Sequence, residues 1–159
     1  MRLYFLRHGI AAAREEWPGD EVLRPLTNRG KDRVDHVAAF LVRLQVAIDL
    51  IVTSPLARAV QTAELAAQRF DLADRLVVDD RLAPGFGTAA LAAVMRSHAD
   101  VSALMLVGHE PDFSETIGRL IGGGRVVCKK GGVACVNVPD PVALEGNLEW
   151  LLPPGLVPA

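Results

Sequence analysis

Three runs of apolar residues in this chain end on groups able to hold or attack an anion. MRLYFLRHG sets Arg7 and His8 behind Leu6, DLIVTSPLAR sets Arg58 shortly after Ser54, and ALMLVGH sets His109 behind Gly108. Polar groups at the end of a buried strand cost free energy unless something pairs with them. Two guanidiniums and two imidazoles are more donors than one carboxylate can use, so a tetrahedral, multiply charged oxyanion such as phosphate is the partner that fits. With a phosphoryl group held there, one imidazole can attack phosphorus and carry the group, while the other donates to the equatorial oxygens as charge develops. That chemistry requires no metal and no other cofactor. The attacking ring must be neutral: neighbouring arginines lower its pKa and bound phosphate raises it.

For these groups to meet, the elements carrying them must lie side by side. Residues 1–6, 49–54, 76–79 and 103–108 read as buried strands. Val34, Val37, Ala38, Leu41 and Val42 recur at helical spacing after Thr27, a candidate N-cap. Leu56, Ala59, Val60, Ala63, Ala67 and Phe70 do so after Pro55, placed where a first helical turn accepts proline. A third helix with Leu91, Val94 and Met95 inward is expected from a Thr88 cap, and a fourth from Pro111 with Phe113, Ile117, Leu120 and Ile121 on one face. After Gly122 to Gly124, read as a turn, VVCKK, VACVNV and LEWLL look like strands, and the tail from Pro153 is expected to fray. Strands alternating with helices predict a three-layer α/β/α sandwich with a mostly parallel central sheet, whose C-terminal strands are candidates for antiparallel pairing. The expected organisation is one domain over 1–152 with a tail over 153–159. Open parallel sheets bind ligands beyond the carboxyl ends of their strands, where Arg7, His8, Arg58 and His109 would converge.

The totals fit that picture. A chain of 159 residues, half of them apolar, encloses a proper core. A net charge of -2 with interspersed signs offers no basic stripe for nucleic acid, and no apolar run has the length of a membrane span. Cys128 and Cys135 form no CxxC pattern and read as buried thiols, and a reducing cytoplasm is the expected location.

"LRHG" at 6–9, "TSPLARAVQTA" at 53–63 and "VGHEP" at 107–111 resemble, in order, the three signature segments of the histidine phosphatase (phosphoglycerate mutase-like, RHG) superfamily. "RPLTNRG" at 24–30, the small size and the closing "GNLEWLLPPG" are most similar to its SixA-type phosphohistidine phosphatases. The resemblance implies that His8 is the phospho-accepting nucleophile, that Arg7 and Arg58 grip the phosphoryl oxygens, that His109 completes the pocket, and that Arg24 contacts substrate at the groove mouth. The substrate it implies is phosphohistidine on a protein partner. A small phosphate ester is the alternative, and a non-catalytic module that binds a phosphorylated ligand is a third reading.

Two departures from the family pattern narrow this. "RHGIAAAREE" lacks the Ser or Thr and the Asn that follow RHG in many members, which makes mutase activity less favoured. Leu82-Ala83-Pro84 stands where many members carry an acid glutamate. An alkoxide leaves poorly without a proton, and general acid catalysis is typically worth about 10² to 10⁴ in rate, whereas imidazole leaves more readily. Asp20, Asp80 and Glu110 are the candidates to replace the missing acid. The plainest readings of the other polar residues are structural: solvated or packed roles for His36 and His98, a solvated loop for Glu15, Glu16, Asp20 and Glu21, and a surface pair with Glu64 as the alternative role of Arg58.

Overall fold

In a computed structural model, which describes residues 1–158, six strands form one sheet: β1 (Arg2–Arg7), β2 (Leu50–Thr53), β3 (Leu76–Val78), β4 (Ala103–Gly108), β5 (Val133–Asp140) and β6 (Glu145–Leu152), in the order β3-β2-β4-β1-β5-β6. The β1–β4, β2–β4 and β2–β3 pairs are parallel, and the β5–β6 hairpin joins β1 antiparallel. Alternate side chains of each strand face opposite sides. Leu3 and Phe5 of β1 therefore enter a core with Leu91 and Met95 of α3 (Thr88–Ser97) and Ile117 of α4 (Asp112–Leu120). Tyr4 and Leu6 enter the other, with Leu41 of α1 (Asn28–Arg43) and Ala63 of α2 (Ala57–Phe70). The result is the expected three-layer sandwich with a mostly parallel sheet.

Local differences follow from which backbone groups find partners. Thr27 caps α1 as read, its hydroxyl accepting from the Gly30 amide at 3.0 Å. Residue Thr88 lies inside α3, whose cap is Gly87; Pro55 precedes the Leu56 cap of α2; and Pro111 is itself the cap of α4. VVCKK is not a strand. The place beside β1 belongs to β5, so the segment instead crosses the end of β1, where the Gly131 amide donates to the carbonyls of Arg7 and His8, both at 3.1 Å. The tail also differs from expectation: Pro154–Leu156 forms a 3-10 turn and Val157 packs against the α1/α2 core. Cys128 and Cys135 are free, buried thiols, as read.

Candidate active site

β1 and β4 end in register, Arg7 opposite Gly108, which brings His8 and His109 together beyond the sheet. Their ring centroids are 5.2 Å apart with planes inclined by 53°. Gly108 lets the Phe113 ring of α4 pack against the end of β4, since a Cβ there would stand 2.7 Å from that ring. From β2 a turn leads into α2, and its first turn carries Arg58, 5% exposed. These elements wall a cleft of about 660 Å³ in which Arg7, His8, Arg58, His109 and Arg24 all take part. Arg58 is the one residue of α2 that lines it.

The His8 imidazole has a fixed tautomer. Its Nδ1 lies 2.7 Å from the Gly9 carbonyl, which can only accept, so Nδ1 carries the hydrogen and Nε2 keeps its lone pair. Thr62 secures that turn: its hydroxyl accepts from the Gly9 amide at 3.0 Å and donates to the Arg58 carbonyl at 2.7 Å. On the other side, His109 Nε2 sits 2.7 Å from Ser54 Oγ. Ser54 Oγ accepts from the Leu56 amide at 3.3 Å, and its hydroxyl hydrogen has no other acceptor among the described residues, so that hydrogen goes to Nε2 and the His109 proton lies on Nδ1, a donor. Arg7 Nη1 donates to the Cys128 carbonyl at 2.8 Å. Arg7 Nε, Arg58 Nε and His109 Nδ1 are buried and have no hydrogen-bond partner within the protein.

Burial keeps both rings neutral. It pushes His8 down to about 3, against the Gly9 hydrogen bond and with help from His109, Arg58 and Arg7. It takes His109 to about 4, with Arg58, Arg7 and Arg24 adding to the effect. Neutral Nε2 of His8 thus keeps at physiological pH the lone pair that a nucleophile needs, and the surrounding guanidiniums are of the charge that an oxyanion requires.

The remaining candidates separate. Arg24 lines the cleft, but three of its donors are engaged: Nη1 with the Ala12 carbonyl at 2.7 Å, Nε and Nη2 with Glu21 at 2.9 and 2.8 Å. Of the three acids considered, Glu110 alone reaches the cleft, and its carboxylate accepts from both the amide and the hydroxyl of Ser114. Asp20 caps a 3-10 turn, Asp80 starts another, and neither lines the cleft; Pro84 lines it from the loop after β3. Glu15 stands exposed at the rim. Arg58 pairs with Glu21, not Glu64, at 3.3 Å, so Glu21 is no simple solvated residue. His36 is exposed and His98 closes α3, both away from the cleft. Ser54 and Thr62 carry roles that the motif spacing alone does not assign. Among the described residues no cluster of metal-ligating side chains is present, and no helix is long and apolar enough to cross a membrane.

Comparison with known proteins agrees with the geometry. Residues 3–90 match the Histidine phosphatase superfamily (branch 1). An uncharacterized protein of Picosynechococcus is 46% identical over 117 residues, covering 72% of this chain and 70% of its own. Phosphohistidine phosphatase SixA of Escherichia coli is 26% identical over 157 residues, covering 97% of this chain and 94% of its own. The structure of a protein histidine phosphatase SixA complexed with tungstate superposes with a TM-score of 0.87 at 25% identity, over 98% of both chains.

Proposed function

The chain belongs to the histidine phosphatase superfamily, branch 1, and on that premise we propose that it removes the phosphoryl group from phosphohistidine on a protein partner, through a phosphoenzyme at His8. The observation that carries this reading is the pairing of an unprotonated His8 Nε2, set by the Gly9 carbonyl, with Arg7, Arg58 and His109 around one cleft. The resemblance to SixA over nearly the whole chain supports it.

In the first step His8 Nε2 attacks phosphorus, the P–N bond of the substrate breaks, and the departing imidazole keeps the proton it took from solvent. Arg7, Arg58 and the His109 Nδ1–H donate to the equatorial oxygens, where charge builds. Water then attacks the phosphoenzyme, the bond from His8 Nε2 to phosphorus breaks with its electron pair returning to Nε2, and inorganic phosphate leaves with one of the water's protons while the other passes to solvent. An imidazole leaving group suits this cleft because no carboxylic acid hangs free in it. Glu110 already accepts two hydrogen bonds from Ser114, and Glu15 sits in solvent at the rim.

The test is a side-by-side assay, with a chelator present, on a phosphohistidine protein and a panel of small phosphate esters. The expected result is fast turnover of the former and slow turnover of the esters. Faster hydrolysis of a sugar phosphate, lost in Glu110→Gln, would instead establish a small-molecule phosphomonoesterase with Glu110 as its acid. No turnover of any phosphorylated compound would leave a binding module.

A further inference from the structure

Among the described residues Glu21 is the one carboxylate that meets three arginines, and it belongs to a short surface turn. Its Oε1 lies 2.8 Å from Arg24 Nη2, 3.2 Å from Arg14 Nη2 and 3.3 Å from Arg58 Nη1, and its Oε2 accepts from Arg24 Nε at 2.9 Å. The Glu21 backbone carbonyl also accepts from Arg58 Nη1, at 3.2 Å. Arg58 is therefore placed by the main chain as well as by the acid, so losing the carboxylate leaves it an anchor. The Arg24 and Arg14 hydrogen bonds hold the Glu21 carboxyl at about 2, and its charge opposes the arginines acting on His109.

We propose that Glu21 balances the charge of the phosphate site, offsetting enough of Arg58 and Arg24 that inorganic phosphate, the product, is released. This rests on the phosphatase reading above. Five basic side chains line the cleft, Arg7, Arg14, Arg24, Arg58 and Lys130. Only two acids, Glu15 and Glu110, line it with them, and a positive excess of that size holds a phosphate dianion tightly, while tight binding of product slows turnover without lowering the chemical barrier.

The experiment is calorimetric titration of inorganic phosphate into wild type, Glu21→Gln and Glu21→Asp at low ionic strength, with circular dichroism as the fold control. Glu21→Gln is expected to bind phosphate at least about threefold more tightly, since a unit charge one side chain away acts on a dianion even through water. Glu21→Asp, which keeps the charge, should remain within about twofold of wild type. Structural damage would weaken binding, so the predicted direction is diagnostic. Unchanged or weaker binding in a folded Glu21→Gln, or equal tightening in Glu21→Asp, overturns the proposal. Should Glu21→Gln fail to fold, Glu21→Ala carries the same test: it removes the charge while the backbone carbonyl still anchors Arg58, phosphate must bind more tightly, and equal or weaker binding in the folded variant overturns the proposal. The titration needs no turnover, so it judges Glu21 separately from the assay that judges the phosphatase reading.

Discussion

Lowering the pH from 7 to 5 should cost this protein a large part of its stability, because two buried imidazoles refuse protons that the unfolded chain takes up. Each ring has an ordinary value of 6.5 when unfolded, against about 3 for His8 and about 4 for His109 in the folded state. A group whose folded pKa is depressed contributes stability that is complete above its unfolded pKa and is lost as pH falls toward its folded value. At pH 5 the unfolded rings are almost fully protonated and the folded ones almost fully neutral, so the loss between pH 7 and 5 is about 2 kcal/mol per ring, about 4 kcal/mol together. That is a sizeable share of a typical net stability of about 5–15 kcal/mol. The lowered carboxylates Glu21, Asp35 and Asp79 do not compete, since their own losses begin only below about 4.5. Urea unfolding at pH 7, 6 and 5, at constant ionic strength in phosphate-free buffer, measures the effect. His8→Ala should roughly halve the pH dependence, to about 2 kcal/mol. A loss below about 1 kcal/mol in wild type over this range would refute the claim that burial keeps both rings neutral.

Other perturbations act on single contacts. Ser54→Ala removes the 2.7 Å partner of His109 Nε2 and leaves both nitrogens of a buried ring unpaired; urea titration should show a loss of about 1–3 kcal/mol. Its kcat should fall by at least about tenfold as the ring loses its orientation. Gly30→Ala would put a Cβ 2.1 Å from the Ile10 carbonyl, where α1 crosses the turn after His8. Thermal unfolding should register a destabilisation of about 1–3 kcal/mol or more, because backbone, not a flexible side chain, stands in the way.

The strand-end placement of Arg7, His8 and His109 was legible because buried strands have a plain apolar signature and their polar ends violate it. The helices of the two outer layers were legible from apolar spacing for the same reason. VVCKK misled because its β-branched residues satisfy strand propensity, while pairing is decided by which strand occupies the neighbouring slot, and β5 holds it. Helix starts shifted by one or two residues near Pro55, Thr88 and Pro111, since composition marks a helix start less sharply than its hydrogen bonds do. Glu21 looked like one of several solvated acids; only the fold brings Arg14, Arg24 and Arg58 onto it. Ser54 and Thr62 lay inside a quoted motif, yet their duties toward His109 and Gly9 depend on contacts across 55 and 53 residues of chain. No local signal encodes those.

The phosphoryl carrier is the point on which everything above turns, and direct trapping examines it. Wild type would be mixed with an activated aryl phosphate, quenched in alkaline denaturant where phosphohistidine survives, and its peptides weighed by mass spectrometry. One added phosphoryl group on the peptide containing His8, absent from His8→Ala along with turnover, is the predicted result. A phosphoryl group on His109 or elsewhere, or undiminished turnover by a folded His8→Ala, would contradict it.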